Sequence, residues 1–450
     1  MAERLFGTDG IRGLANIHPM TAEMALQVGR VAGHFFKRDD RQHTILIGKD
    51  TRRSCYMIEN ALTAGLCSVG MRVLLTGPLP TPGVSYIMRS LRCDGAIMIS
   101  ASHNSYADNG IKIFGADGYK IPDAVEDEIA RVISTGEIDH LRPTGEKIGT
   151  AFRIDDAVGR YIEFTKASFP KGMRLDGLRI VVDCANGAAY KSGPSTFSEL
   201  GAEVIPIGVR PDGLNINGGF GTVHPEEMRA TVIREKANVG VAFDGDGDRI
   251  AMADENGRLL NGNAVLCMLG LDMIGRGLLP GNAVVTTVMA NGGLERALAG
   301  VGGGVVRTNV GDRYVVEAML KEGLVLGGEP SGHVTLLDYN TTGDAMIAAL
   351  QVLAAMIRRD QPLSALAHVY QEMPECHGRV PLANGQRPGG DVLEALAADV
   401  QARMEGRGRV VIRPSGTEPL IRIMVQHEKM RTAEETVAAL TARVAEIAGT

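Results

Sequence analysis

Three times along the chain an apolar run of strand length ends in a short polar loop: Gly95 to Ile99 before Ala101 to Asn104, Val239 to Phe243 before Asp244 to Arg249, and Leu324 to Gly328 at Gly327 to His333. Each run closes a cycle in which strand-like and helix-like segments alternate. The first cycle reads as strand Thr44 to Gly48, helix Ser54 to Val69 and strand Arg72 to Thr76. The second has Arg179 to Cys184, a helix near Ser195 to Leu200, and Ala202 to Ile207. The third has Ala283 to Val288, a helix over Leu294 to Ala299, Val305 to Thr308, and a helix over Arg313 to Lys321. Such alternation predicts βαβ units on mostly parallel sheets. In open α/β sheets, loops at strand carboxyl ends are where ligands bind. The chain therefore reads as an α/β protein built from three degenerate copies of one architecture, each offering one polar loop.

The 450 residues suggest about three or four domains. A polar stretch from Ser134 to Phe152 reads as a connector, and a last segment departs from the pattern. There the order is strand, helix, strand, strand, helix over Gly378 to Leu382, Asp391 to Met404, Arg409 to Ile412, Leu420 to His427 and Thr432 to Ala448. The expected units are thus 1–153, 154–256 and 257–370, all α/β, followed by an α+β unit over 371–450.

No apolar run approaches the roughly 20 residues of a membrane span. A net charge of -6 without a long basic run argues against a nucleic-acid surface. The six cysteines are scattered and form no CxxC pair, and Met1 to Gly7 lacks the apolar centre of a secretory signal. A cytoplasmic protein with buried free thiols is expected, acting on a small molecule. With no tryptophan and aromatics at 4%, recognition of a sugar would rest on hydrogen bonds rather than ring stacking.

The loop Asp244-Gly245-Asp246-Gly247-Asp248-Arg249 alternates carboxylates with glycines, so that the side chains can converge on one hard cation such as Mg²⁺ or Ca²⁺. Asp244, Asp246, Asp248 and Glu255 also match positions one, three, five and twelve of a calcium-binding EF-hand. Two features oppose that reading: Arg249 stands where the hand needs glycine, and the flanks read as strands rather than helices. A strand-loop-strand metal site beside an arginine is the better fit, with Arg249 meeting an anionic substrate.

Ser102, in Ser100-Ala101-Ser102-His103-Asn104, follows an apolar strand, so its hydroxyl is expected to lie exposed at a sheet edge. The G-x-S-x-G elbow of a hydrolase is missing, since Ser100 and Asn104 stand where glycines belong. A serine that carries a phosphoryl group, one oxygen of which completes the cation's shell, fits the acidic loop better. In the last segment, Arg413-Pro414-Ser415-Gly416-Thr417-Glu418-Pro419, with Arg422 beyond, offers hydroxyls, backbone donors and guanidinium forks suited to a phosphate.

Together these four loops, in this order, resemble the α-D-phosphohexomutase superfamily, and within it the bacterial branch that acts on glucosamine phosphates. The likeness extends to Phe6-Gly7-Thr8-Asp9-Gly10-Ile11-Arg12-Gly13, Gly48-Lys49-Asp50-Thr51-Arg52, Gly77-Pro78-Leu79-Pro80-Thr81-Pro82, Asp108-Asn109-Gly110-Ile111-Lys112, Asp183-Cys184-Ala185-Asn186-Gly187, Gly311-Asp312-Arg313-Tyr314 and Gly328-Glu329-Pro330-Ser331-Gly332-His333. The resemblance implies four domains around a central cleft, the last like the TATA-binding-protein fold. It also implies a homodimer. Ser102 would be the phosphoserine, sharing a Mg²⁺ with Asp244, Asp246 and Asp248. Arg12 and Arg249 would steady phosphate, and Lys112 and His103 would move protons, with His333 a further candidate. Glu329 and Ser331 would contact sugar hydroxyls, while Arg413, Ser415, Gly416, Thr417 and Arg422 would hold the phosphate that is not reacting. The implied reaction interconverts glucosamine 6-phosphate and glucosamine 1-phosphate, primed by glucosamine 1,6-bisphosphate or glucose 1,6-bisphosphate, on the route to UDP-N-acetylglucosamine and the cell wall. A mannose or glucose phosphate substrate with the same chemistry is the alternative. Two departures stand out: Ser105 where many relatives have proline, and Asn309 where several carry lysine.

Overall fold

The structure of the protein, a computed structural model, describes residues 5–7, 9–382, 388–415 and 419–448. Four sheets follow one another along the chain. The first has the strand order Ile11–Leu14, Asp108–Gly115, Gly95–Ile99, Thr44–Lys49, Arg72–Pro78, Ala151–Arg153. Its four strands from Gly95–Ile99 to Ala151–Arg153 run parallel, and Asp108–Gly115 turns back antiparallel. The period-two alternation of strands divides their side chains between two cores. Ile45, Ile47, Ile97 and Ile99 pack under helices Ala22–Phe36, Ser54–Ser68 and Asp123–Thr135. Leu46, Ala96 and Met98 face the other way, toward helix Thr81–Ser90 and beyond it.

The second sheet has the order Leu259–Leu260, Ile250–Ala253, Val239–Phe243, Arg179–Asp183, Glu203–Ile207. The third has Gly304–Thr308, Ala283–Thr287, Leu326–Gly328, Val334–Leu336. In both, the strand ahead of the polar loop joins its parallel neighbour and the strand after the loop pairs antiparallel. The loops after Ile99, Phe243 and Gly328 are therefore the same topological object, a hairpin hung on the end of a parallel sheet. The expectation of mostly parallel sheets becomes mixed sheets, because each hairpin adds a reversed strand.

One apolar core runs through all three units. It includes Leu46 and Met98 from the first, Val182 and Phe243 from the second, and Val265, Leu298 and Leu350 from the third. Helix Ala345–Arg359 is buried on every side from Ala345 to Met356, as a sequence apolar all round requires; the exception, Gln351, is satisfied by donating to Ser168 O at 2.7 Å. Truncating a buried leucine there to alanine costs about 2–5 kcal/mol. Among the described residues, no helix is long and apolar enough to cross a membrane.

The fourth sheet is antiparallel, Glu375–Pro381, Leu420–His427, Gly408–Pro414, with helices Gly390–Arg403 and Met430–Ala448 over its own core of Val380, Leu393, Ile421, Ile423, Leu440 and Val444. Polar contacts join it to the third unit: the Arg409 guanidinium donates to Ala290 O at 2.7 Å, and Gly292 N to Gln426 Oε1 at 2.9 Å.

The stretch Ser134 to Phe152 differs from its reading as a connector. Its end joins strand Ala151–Arg153, which extends the first sheet beside Arg72–Pro78, and Val73 N donates to Thr150 O at 2.8 Å. This edge strand is exposed along its length and carries no apolar alternation to betray it. Helix Thr81–Ser90 was likewise hidden behind Pro78-Leu79-Pro80-Thr81-Pro82, although proline is welcome in a first helical turn, where no intrahelical N–H is needed.

Asp344 fastens the three units at one point. Its carboxylate caps Ala345–Arg359 by accepting Ile347 N at 3.1 Å, takes the Tyr161 hydroxyl at 3.0 Å, and accepts from Asn340, whose amide also reaches Pro82 O at 3.2 Å. Burial pushes its pKa up to about 6, against the opposing pull of these donors. The folded state thus holds a proton that the unfolded chain has already released. This contribution to stability is complete below about pH 4 and lost as pH rises through about 6. In urea titrations, Asp344→Asn is therefore expected to gain stability relative to the native chain from pH 4 to pH 7, by up to about 3 kcal/mol. A difference that does not change with pH would contradict this account.

Candidate active site

The three hairpin loops converge. Arg249 and His333 form a bridge between the second and third loops, and Ile250 N donates to Gly332 O at 3.0 Å. The first loop meets the second through Ser102, whose hydroxyl donates to Asp244 Oδ2 at 2.5 Å. Ser102 adopts a left-handed backbone, φ 51°, which costs a non-glycine residue about 1–2 kcal/mol. The conformation is held from both sides. Ser102 N donates to Ser100 Oγ at 2.9 Å, and Ser102 O accepts from Asn217 Nδ2 at 2.9 Å and Arg52 Nη2 at 3.2 Å. Contrary to the expectation of an exposed serine, Ser102 is 1% exposed, because the second loop closes over it.

Asp244, Asp246 and Asp248 are all buried, and one carboxylate oxygen from each lies within 4.8 Å of the others. Their remaining oxygens are engaged by protein donors. Asp244 Oδ1 accepts Arg249 N at 3.2 Å, and Asp246 Oδ2 accepts Lys112 Nζ at 2.9 Å and Thr81 Oγ1 at 2.7 Å. Asp248 Oδ2 faces Lys112 Nζ and His333 Nδ1, each at 3.6 Å. Asp246 Oδ1 and Asp248 Oδ1 are buried and accept no hydrogen bond. Three buried carboxylates clustered this closely, two of them with an oxygen that accepts no hydrogen bond, are what a hard divalent cation needs, so the residues present fit a metal of the Mg²⁺ type. The paired strands Val239–Phe243 and Ile250–Ala253 exclude a helix-loop-helix calcium hand.

The electrostatics carry the same signature. Burial raises the Asp244 pKa well above the carboxylate range, and the charges of Asp248 and Asp246 push it further. Lys112, on strand Asp108–Gly115, is itself buried; burial alone would lower its pKa, but Asp246, Asp9 and Asp248 outweigh that and hold it as an ammonium. Burial lowers the His103 pKa to about 4, helped by the positive charges of Arg249 and Arg12. Its Nδ1 accepts from Arg249 Nη1 at 2.9 Å, leaving the ring proton on Nε2. His333 Nε2 accepts Gly343 N at 3.2 Å, which places its proton on Nδ1, toward Asp248.

Arg12, on the strand beside Asp108–Gly115, pairs with Asp9. In the third loop, Glu329 Oε1 accepts Gly311 N at 3.0 Å, and Ser331 Oγ lies 3.4 Å from Glu329 Oε2. Ser102, His103, Lys112, Arg12, the three aspartates, Arg249 and His333 thus share one network, with Glu329 and Ser331 on the adjoining loop. Arg413, Ser415 and Arg422 sit on the fourth sheet. Arg413 stands directly opposite Arg422 across paired strands, and Ser415 N donates to Leu420 O at 2.8 Å. Gly416 and Thr417 lie outside the described residues.

Several participants went unforeseen. Asp9 and Asp312 both grip Lys120, at 2.6 Å for Asp312, and so tie the first unit to the third beside Lys112 and His333. Arg52 and Asn217 hold the Ser102 carbonyl, and Arg379 stands opposite Arg422 to complete a row of three arginines. The signal was a charged or amide residue inside a glycine-rich motif, as in Asp9-Gly10 and Gly311-Asp312, but pairing between such motifs is a tertiary fact.

Four domain families match in order: phosphoglucomutase/phosphomannomutase alpha/beta/alpha domain I over residues 3–139, domain II over 159–257, domain III over 261–373, and the C-terminal domain over 378–444. The chain is 55% identical to a protein named phosphoglucosamine mutase from Magnetococcus marinus, over 94% of this chain and 88% of that one. It is 54% identical to one of the same name from Syntrophotalea carbinolica, over 95% and 94%. Among solved structures, a phosphoglucomutase/phosphomannomutase family protein from Burkholderia thailandensis superposes with TM-score 0.81 at 23% identity, over 100% of this chain and 98% of that one. The N-acetylphosphoglucosamine mutase of Aspergillus fumigatus, solved with GlcNAc-6P and magnesium, gives TM-score 0.65 at 18% identity over 99% and 96%, a likeness of fold.

The His103 environment yields a direct test. In NMR titrations its imidazole is expected to stay neutral down to pH 5 and to titrate near pH 4. Arg249→Gln, by removing one of the opposing charges, is expected to raise that value; no change would mean that the guanidinium is not a cause.

Proposed function

The chain belongs to the phosphoglucomutase/phosphomannomutase family, and from that premise we propose that it interconverts glucosamine 6-phosphate and glucosamine 1-phosphate through a phosphorylated Ser102. The observation that carries the reading is the Ser102 hydroxyl lying 2.5 Å from Asp244, inside the acidic cluster. The preference for glucosamine is supported by relatives above 50% identity that bear the name phosphoglucosamine mutase.

In the forward direction the 1-hydroxyl oxygen of glucosamine 6-phosphate attacks phosphorus on Ser102. A P–O bond to the sugar forms as the bond to Ser102 Oγ breaks, and the hydroxyl proton passes to the protein. The 1,6-bisphosphate then turns end for end. Ser102 Oγ takes the 6-phosphoryl group, a proton returns to the 6-oxygen, and glucosamine 1-phosphate leaves. Asp244, already accepting the Ser102 hydroxyl, polarises that oxygen for the return step. Lys112, held as an ammonium, and His103, with its ring proton on Nε2, are the neighbouring groups able to give a proton to a sugar oxygen, and Arg12 and Arg249 supply guanidinium donors to the moving phosphoryl group.

Asp244, Asp246 and Asp248, with an oxygen of phosphorylated Ser102, would hold Mg²⁺, which when bound offsets charge on the transferring group. Magnesium is supported by the hard oxygen donor set and by the metal solved in the Aspergillus relative. Glu329, Ser331 and His333 face the sugar from the third loop. Arg413, Ser415, Arg422 and the neighbouring Gly416 and Thr417 clasp the phosphate that is not reacting, a role for which Arg379 is equally placed. A charged row suits this task because it reads a phosphate without reading which end of the sugar bears it. The six unpaired cysteines support a cytoplasmic setting.

Purified protein with Mg²⁺ and a catalytic amount of glucosamine or glucose 1,6-bisphosphate is expected to turn over glucosamine phosphates with higher kcat/KM than glucose or mannose phosphates. Chelation should abolish turnover and Mg²⁺ restore it. Ser102→Ala is expected to lose about 10³-fold or more in kcat, as removal of a covalent nucleophile does. Active enzyme should carry roughly 80 Da on the Ser102 peptide. Full turnover by the alanine variant would overturn the reading, and a preference for mannose or glucose phosphate would correct its substrate.

A further inference from the structure

The loop that carries the three aspartates is stapled to the first unit by the segment Gly77 to Pro82, which the roles assigned above leave unused. Thr81 begins helix Thr81–Ser90 directly after Pro80 and is 1% exposed. Its backbone N–H donates to Asp246 O at 2.8 Å, and its hydroxyl donates to Asp246 Oδ2 at 2.7 Å. The contact continues at the next residue, because a Cβ on Gly247 would come 3.1 Å from Pro80 Cβ. The turn of the second unit thus rests on a proline of the first.

A carboxylate rotates about its Cβ–Cγ bond unless its oxygens are told apart. In Asp246 they are. Oδ2 receives two donors, Thr81 Oγ1 and Lys112 Nζ, whereas the equally buried Oδ1 receives none. Lys112 alone specifies this poorly, since its ammonium is also 3.3 Å from Asp9 and 3.6 Å from Asp248. The Thr81 hydroxyl, by contrast, sits on a backbone that is itself bonded to the residue it orients. A donor fixed on one carboxylate oxygen leaves the other turned to the ion, which is how outer groups set the affinity of a metal site.

We infer that Thr81 is a positioning residue for the cation: its hydroxyl turns Asp246 so that Oδ1 joins the oxygens of Asp244 and Asp248, making cation affinity in the second unit depend on its docking to the first. The inference rests on the reading of the three aspartates as metal ligands.

The test measures binding of Mn²⁺ alone to the full-length chain, by the EPR signal of free ion, without sugar phosphate or turnover. Thr81→Val keeps the shape and the N–H donated to Asp246 O but removes the hydroxyl; Thr81→Ser restores it. The Kd for Mn²⁺ is expected to rise about tenfold or more in the valine variant and to return near the native value in the serine variant. If the valine variant does not fold, Thr81→Ala carries the same comparison. A purely structural role would lower the melting temperature without metal and leave Kd unchanged, and that result overturns the inference. So does a serine variant as weak as valine. No Mn²⁺ binding by the native chain overturns the ligand reading and this inference with it, whereas equal affinities in native and variant chains overturn the inference alone.

Discussion

Three carboxylates drawn within 4.8 Å of one another, and out of contact with water, repel each other by about 3 kcal/mol per pair at the effective dielectric of a protein. No chain would bury them without a reason, and much of the surrounding structure can be understood as an answer to that repulsion. Lys112 is brought in from a neighbouring sheet, Arg249 follows the last aspartate, and His333 approaches from the third unit. Two fixed cations against three anions still leave an excess of negative charge, which a divalent ion would more than offset, and an incoming phosphorylated serine would then meet the remaining positive charge. The raised Asp244 pKa is the mark of that incompleteness, and the hydrogen bond that Ser102 donates to this carboxylate pulls the other way by stabilising its ionised form.

Convergence of the loops follows from a repeated topology. In each of the first three units a parallel strand ends and the chain returns antiparallel, so the hairpin between them projects from the same corner of each sheet. Packing the sheets around one core turns the corners toward each other. Glycine makes the final approach possible: a Cβ on Gly187 would come 2.4 Å from Gly245 O, so only a residue without a side chain lets the neighbouring turn lie against the acidic loop. The left-handed Ser102, unfavourable by itself, is affordable where Arg52 and Asn217 grip its carbonyl.

How much of this was legible in the sequence depended on range. The apolar strands ahead of the three loops were plain because their periodicity is local, and the alternation of Asp244, Asp246 and Asp248 with glycine suggested a cation site while its spacing alone also matched a calcium hand. Ser102 was singled out by its motif but read as exposed, since its cover, the second loop, begins 142 residues later. Helix Thr81–Ser90 and strand Ala151–Arg153 were hidden by prolines and by an exposed edge respectively. The links Lys120 to Asp9 and Asp312 were invisible for a different reason: each residue is unremarkable until three distant segments are superposed. For the fourth unit the order of strands and helices was readable, while the row Arg379, Arg422, Arg413 emerges only once the register is known.

The continuous core of the first three units has a consequence for how this chain can change. Leu46, Val182 and Leu350 come from different units yet pack in one interior, so a repacking substitution in any unit is felt at all three loops. Their mutual placement is inherited as a single object, and variation compatible with the chemistry is confined to the loop surfaces. The fourth unit, with a core of its own and a polar seam, is under no such obligation. Substitutions inside the fourth unit can therefore be absorbed there, without disturbing the placement of the three loops.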